Sequence, residues 1–186
     1  MTSAINNKRK TLRQAFRQKQ MIQFSNPYED GTIIGYPVSL SDTWLLLANI
    51  DDSVRYNGFH CIRIADIRSL KYPFAQAQFF IDALQIRQLS CPSKPDIKLS
   101  SIQLLLKSAA RLFPVTTIHR QRIDPDICHI GQVVNVPQGQ LSLLEIGPDA
   151  EWDKTPTTYN LREITRVDFG GDYEEALHLV SQSRAK

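Results

Sequence analysis

The spacing of apolar positions alternates along the chain between a helical and a strand period. Residues 1–10 are polar and are expected to be disordered. Thr11-Leu12-Arg13-Gln14 then reads as a capping box, and Leu12, Ala15 and Phe16 form one narrow stripe, predicting a short helix to about Lys19. From Met21 the period shortens. Segments 21–25, 32–40, 43–50, 59–65 and 66–72 are rich in Ile, Val, Leu and aromatic residues. Turn signals at Asn26-Pro27, Asp30-Gly31, Ser41-Asp42, Asp51-Asp52 and Asn57-Gly58 separate them, predicting five antiparallel strands. Pro37 inside the second of these demands an edge, a bulge or a strong bend.

The helical period returns at Ala77, Phe80, Ile81 and Leu84, and again at Ile102, Leu105, Leu106, Ala109 and Phe113 with Ser100 or Ser101 as cap. Between these helices the run QLSCPSKPDIK has linker composition. Strand-like segments follow at 115–121, 127–136, 140–146, 157–162 and 163–169, and a last helix starts near Asp172. The second half thus restates the order of the first, which predicts an internal duplication. Setting Gly31 on Gly131 places Ile33-Ile34 on Val133-Val134 and Pro37 on Pro137, and 43–72 then runs against 140–169 without a gap.

An N-terminal helix followed by five short, bent strands resembles the Sm-like (LSm) family of small SH3-type barrels. Asp30-Gly31-Thr32-Ile33-Ile34 through Val38, Asp42 and Trp44-Leu45-Leu46-Leu47 is similar to the first motif of that family, and Asn57-Gly58-Phe59 with Ile62 and Ile64 to the second. The resemblance spans 11–72, and more weakly 99–169. It implies a mainly β fold with flanking helices, arranged as two tandem Sm-like five-stranded barrels: 10–86, a linker at 87–98, and a divergent copy at 99–182. In that family an Asn after the motif Asp helps hold a uridine. Leu46 stands at that position here, and Asn57 stands where a basic residue precedes the Gly. The second copy has Gln140 and Thr155 in the aligned neighbourhood, and the Tyr-Lys-His signature of the bacterial members is missing. The fold therefore carries over more readily than the RNA site.

Apolar residues make up 42% of the chain and charged residues 22%, which excludes wholesale disorder. No apolar run approaches the roughly 18–20 residues of a membrane span, and the N-terminus shows no apolar core of a secretory signal. Cys61, Cys91 and Cys128 are an odd, sparse set that predicts free thiols and a cytoplasmic location. The net charge of +3 conceals an asymmetry. Six of the 22 basic residues (Lys8, Arg9, Lys10, Arg13, Arg17, Lys19) lie in 8–19, leaving 16 against 19 acidic residues elsewhere. Such an arm can contact phosphates or simply form a solvated helix face.

Chemistry-bearing motifs are scarce. No nucleophile elbow, phosphate loop or dinucleotide fingerprint is present, so no enzymatic role and no cofactor are expected. His60-Cys61 and Cys128-His129 would need two strand bends to converge on a metal, and none is expected to bind. The reading is a non-enzymatic protein-interaction or assembly module, with a protein partner or a second copy and no membrane. The alternative is RNA or single-strand binding through the arm and the barrel rim, using Lys8, Arg9, Lys10, Arg13, Arg17, Lys19, Asp42, Tyr56, Asn57 and Gly58. Tyr36, Trp44 and Phe59 would join Tyr56 as stacking candidates.

Overall fold

The computed structural model describes residues 2–184. The chain divides into two compact units, Met1–Lys94 and Pro95–Lys186.

The first unit opens with helix α1 (Thr2–Arg17). The expected disorder of 1–10 is corrected for residues 2–10, Met1 lying outside the described residues, and so is the capping box at Thr11, since the helix starts nine residues earlier and Thr11 lies inside it. Nothing between Thr2 and Thr11 breaks a helix, and tertiary contacts hold the early turns. Ile5 packs against the core that contains Leu12 and Ala15, and the Lys8 ammonium donates to the carbonyl of Ile67. Strands β1 (Ile22–Ser25), β2 (Ile33–Leu40), β3 (Trp44–Ile50) and β4 (Tyr56–Arg63) follow. A 3-10 turn at Ile64–Asp66 then leads to β5 (Arg68–Lys71) and helix α2 (Ala77–Ile86). All ladders are antiparallel, in the order β5-β1-β2-β3-β4.

The second unit comprises α3 (Ile102–Leu112), β6 (Thr116–His119), β7 (Cys128–Asn135), β8 (Gln140–Glu145), β9 (Thr157–Asn160), β10 (Arg166–Phe169) and α4 (Asp172–Arg184). Ser101 caps α3 by accepting from the Leu104 amide at 3.2 Å. The antiparallel order is β10-β6-β7-β8-β9, so the fifth strand of each unit pairs with the first.

A mainly β architecture with flanking helices is what the chain adopts, but the tandem Sm-like barrels are corrected. Among the described residues no ladder joins β4 to β5, or β9 to β10, so neither five-stranded sheet closes. Part of the reason is length. Strand β5 has four residues, mostly exposed, and its register with β1 already shifts between Gln23 and Ser25. The apolar surface that a closed barrel would turn inward is covered by α1 instead. Leu12 and Ala15, both 0% exposed, cluster with Ile22, Phe24, Leu45, Leu47, Ile62, Ile64 and Ile67. A second cluster joins Met21, Ile50, Phe74 and Leu84, with Ala77, Phe80 and Ile81 of the predicted α2 face packed against it.

The alignment of Gly31 on Gly131 is also corrected. Gly31 sits at φ +95° in the turn before β2, with open space where a Cβ would stand. Gly131 lies inside β7, where a Cβ would fall 2.2 Å from the Leu144 carbonyl oxygen, and the position with that environment in the first unit is Gly35, 2.2 Å from the Ala48 oxygen. Gly35 pairs with Asn49 and Gly131 with Glu145, while register shifts fall at Pro37/Ser39 and Val133/Asn135. The central strands of the two units therefore correspond at a constant offset of 96, from Gly35→Gly131 and Asn49→Glu145. Gly35 and Gly131 are required because the neighbouring strand's backbone occupies the space of a side chain.

Candidate anion-binding face on the first helix

Helix α1 has two faces set by its repeat of about 3.6 residues. Ile5, Leu12 and Ala15 face the core. Asn6 and Lys10, and Arg9, Arg13 and Arg17, recur at one-turn intervals on the adjoining face, and with Asp42 they line a cleft of about 610 Å³. Asp42 comes from the turn between β2 and β3. Arg9 donates to its carbonyl oxygen through Nε (3.0 Å) and Nη2 (2.6 Å), and Arg13 Nη2 donates to its carboxylate at 2.9 Å. These side chains are largely exposed, so the pair adds little to stability, but it fixes where two guanidinium groups point. The side chains of Lys10, Arg17 and Lys19 make no hydrogen bond or ion pair among the described residues. Arg17 lies in the last turn, where the helix dipole favours a cation, and Lys19 lies past it at φ +50°. The cleft carries four cations against one carboxylate, and two of the cations face solvent without a partner.

The structure thus gathers Arg9, Lys10, Arg13, Arg17 and Asp42, while Lys8 is turned aside to Ile67. Tyr56, Asn57 and Gly58 lie outside this lining, at the start of β4. Tyr56 packs half-buried on the cluster of Met21 and Ile50, its ring 6.3 Å from that of Tyr36. Burial first, then Cys91 and Tyr36, push its phenol well above the ordinary range. Asn57 Nδ2 is 3.4 Å from the Asp51 carboxylate, and Gly58 supplies a positive φ of 65°. Trp44 and Phe59 are buried, which removes them as stacking platforms. Cys61 is a core residue, Cys91 and Cys128 are exposed, and none of the three is in a disulfide. Among the described residues no group of three or more His, Cys, Asp or Glu could hold a metal ion, and no helix is long and apolar enough to cross a membrane.

Sequence reasoning missed two polar networks in the second unit. In one, Tyr159 on β9 donates to Glu145 at 2.6 Å, His129 Nδ1 lies 3.0 Å from the same carboxylate, and Arg120 stacks 5.0 Å over the Tyr159 ring while donating to Glu163 at 3.0 Å. Burial pushes Glu145 up, but hydrogen bonds from Tyr159, His129 and Thr157 outweigh it and hold the carboxyl below its usual range. Burial and that carboxylate together push the Tyr159 phenol well up. In the other, Asp168 accepts from Arg166 Nε at 2.8 Å and lies 2.8 Å from His119 Nε2, with both partners mostly buried. Register could have found part of this: Gly131 opposes Glu145, so His129 stands diagonal to it on the same face. Both carboxylate oxygens of Glu145 and of Asp168 are engaged by neighbours, which suits cross-strand ties better than an open site. No protein-family model, curated protein or solved structure matches the chain.

Proposed function

We propose that the protein is a non-enzymatic interaction module that grips an acidic protein partner along α1. The observation that carries this reading is the cleft of Arg9, Lys10, Arg13 and Arg17, which concentrates positive charge on one helix, while the chain outside residues 8–19 is acidic by three charges. Charge placed this way steers encounter and fixes orientation more than it adds raw affinity. Anchoring of Arg9 and Arg13 by Asp42 lowers the side-chain entropy lost on binding, because both are held before the partner arrives. A cytoplasmic setting accords with three cysteines outside any disulfide.

One observation favours nucleic acid as a second reading. Arg9, Arg13 and Arg17 recur at one-turn intervals, a spacing that can follow a phosphate backbone without reading bases. Against it stand the carboxylate of Asp42 within the cleft and the burial of Trp44 and Phe59. Titration with a labelled acidic peptide and with a mixed short RNA of equal charge separates the readings. The proposal expects the peptide to bind more tightly, and the RNA to stay within the ~10⁻⁴–10⁻⁶ M of nonspecific contact at physiological salt. A submicromolar, sequence-selective RNA complex would reverse the order.

A further inference from the structure

The partner can be named more closely, resting on the reading of α1 as the binding face. A second cleft, of about 330 Å³, lies within the unit that begins at Pro95. Phe113, Pro114, Val115 and Leu179 give it an apolar wall, and Glu174 and Glu175 stand on its rim. Leu179 is 58% exposed, apolar surface at the cleft that a partner's apolar group would cover. The rim is persistently negative. Asp172, Glu174 and Glu175 all occupy the first turn of α4, where the helix dipole favours acids, and Glu174 is positioned by a 2.5 Å hydrogen bond from Thr117.

Helix α1 carries the matching features in reverse. Phe16 is 38% exposed although it belongs by sequence to the apolar stripe. It follows Arg9 by seven positions and Arg13 by three, so it stands on the border between the core face and the cationic face. An aromatic knob flanked by arginines thus has, on the same chain, an apolar cleft flanked by glutamates. We infer that the cleft at Phe113–Val115 and Leu179 receives α1 of a second copy of this chain, with Phe16 seated on the apolar wall and the cationic stripe facing Glu174 and Glu175. The two surfaces differ, so the contact is heterologous and builds a ring or an open chain of subunits rather than a two-fold dimer.

Sedimentation of the full chain over a wide concentration range tests this. At roughly 0.01 M salt the weight-average mass is expected to climb above the 21.2 kDa of one chain, and at roughly 1 M, where the screening length falls to about 3 Å, to return toward it. Phe16→Ala is expected to weaken self-association about tenfold or more, from the lost apolar burial. Lys10→Glu/Arg17→Glu and Glu175→Arg alter side chains outside the hydrogen-bonded framework, and each is expected to weaken it separately. Mixing those last two proteins pairs an acidic α1 with a basic rim, and the mixture is expected to associate more tightly than either alone. A wild-type chain that stays monomeric at low salt, association indifferent to the variants, or a mixture no tighter than its components would each overturn the inference. If the wild type is monomeric yet still binds the acidic peptide through α1, only this inference falls; if it does neither, the proposed function falls with it.

Discussion

The guanidinium of Arg13 lies 2.9 Å from the carboxylate of Asp42, tying the middle of α1 to a turn 29 residues away in sequence. The side chains are 55% and 76% exposed, so water screens the pair and its contribution to stability is small. Asp42→Ala is therefore expected to cost at most about 1 kcal/mol, a shift in Tm of roughly 2–4 °C for a chain of this size. It also removes the one carboxylate from the cleft. Affinity for an acidic peptide should hold or rise, because Arg13 gains a free donor while the backbone carbonyl that holds Arg9 remains. A marked loss of peptide binding in Asp42→Ala would show that anchoring of the arginines outweighs the added positive charge.

Docking of α1 depends on apolar burial rather than on its charges. Leu12 is fully buried among Ile22, Phe24, Leu45 and Ile67. Leu12→Ala is expected to destabilise the protein by about 2–5 kcal/mol. Chemical denaturation followed by circular dichroism reads this directly. Lys10→Ala, on the solvated face, should stay within about 0.5 kcal/mol of wild type.

Two glycines with different environments should respond differently to a methyl group. At Gly131 the added Cβ would lie 2.2 Å from the Leu144 carbonyl oxygen, an atom of the partner strand that cannot move without breaking the ladder. At Gly139 the space is open and only the positive φ of 77° resists. Gly131→Ala should cost about 3 kcal/mol or more, and Gly139→Ala about 1–2 kcal/mol. Equal losses in thermal melts would contradict the close approach of β7 and β8.

The ties around Glu145 make stability depend on pH in a definite direction. Its folded carboxyl titrates below its ordinary value of 4.5, so the folded state holds the ionised form more strongly than the unfolded chain does. That contribution is complete above the ordinary value and is lost as pH falls through the lowered one. Tm is expected to be insensitive to this group from neutrality to about pH 5 and to drop below that, with a shallower drop in Glu145→Gln. An acid limb unchanged by Glu145→Gln would place the acid sensitivity elsewhere.

How much of this was readable in the sequence depends on whether the causes were local. The helix faces at Ala77–Leu84 and at Leu105, Leu106 and Ala109 could be read from periodicity, because one residue spacing sets which side chains meet the core. The start of α1 could not. Thr2–Lys10 offers one apolar anchor, Ile5, and its other restraint is a hydrogen bond from Lys8 to Ile67, 59 residues away. Alternation in β4 and β5 identified strands but not whether their edges meet, since closure depends on strand length and on what α1 covers. The cationic stripe was legible as composition, whereas the part played by Asp42 in aiming Arg9 and Arg13 arises only in three dimensions. His129, Glu145 and Tyr159 stand on three different strands, and no local motif announces their meeting.

Binding of an acidic partner along α1 is proposed to run through Lys10, Arg13 and Arg17. Its most direct test is a binding titration of a labelled acidic peptide against wild type and Lys10→Glu/Arg17→Glu, repeated across salt from roughly 0.01 M to 1 M. Wild-type affinity is expected to fall steadily as salt rises, and that of the charge-reversed variant to be at least about tenfold weaker at the lowest salt and nearly flat thereafter. Equal affinities and equal salt dependence for the two proteins would contradict it.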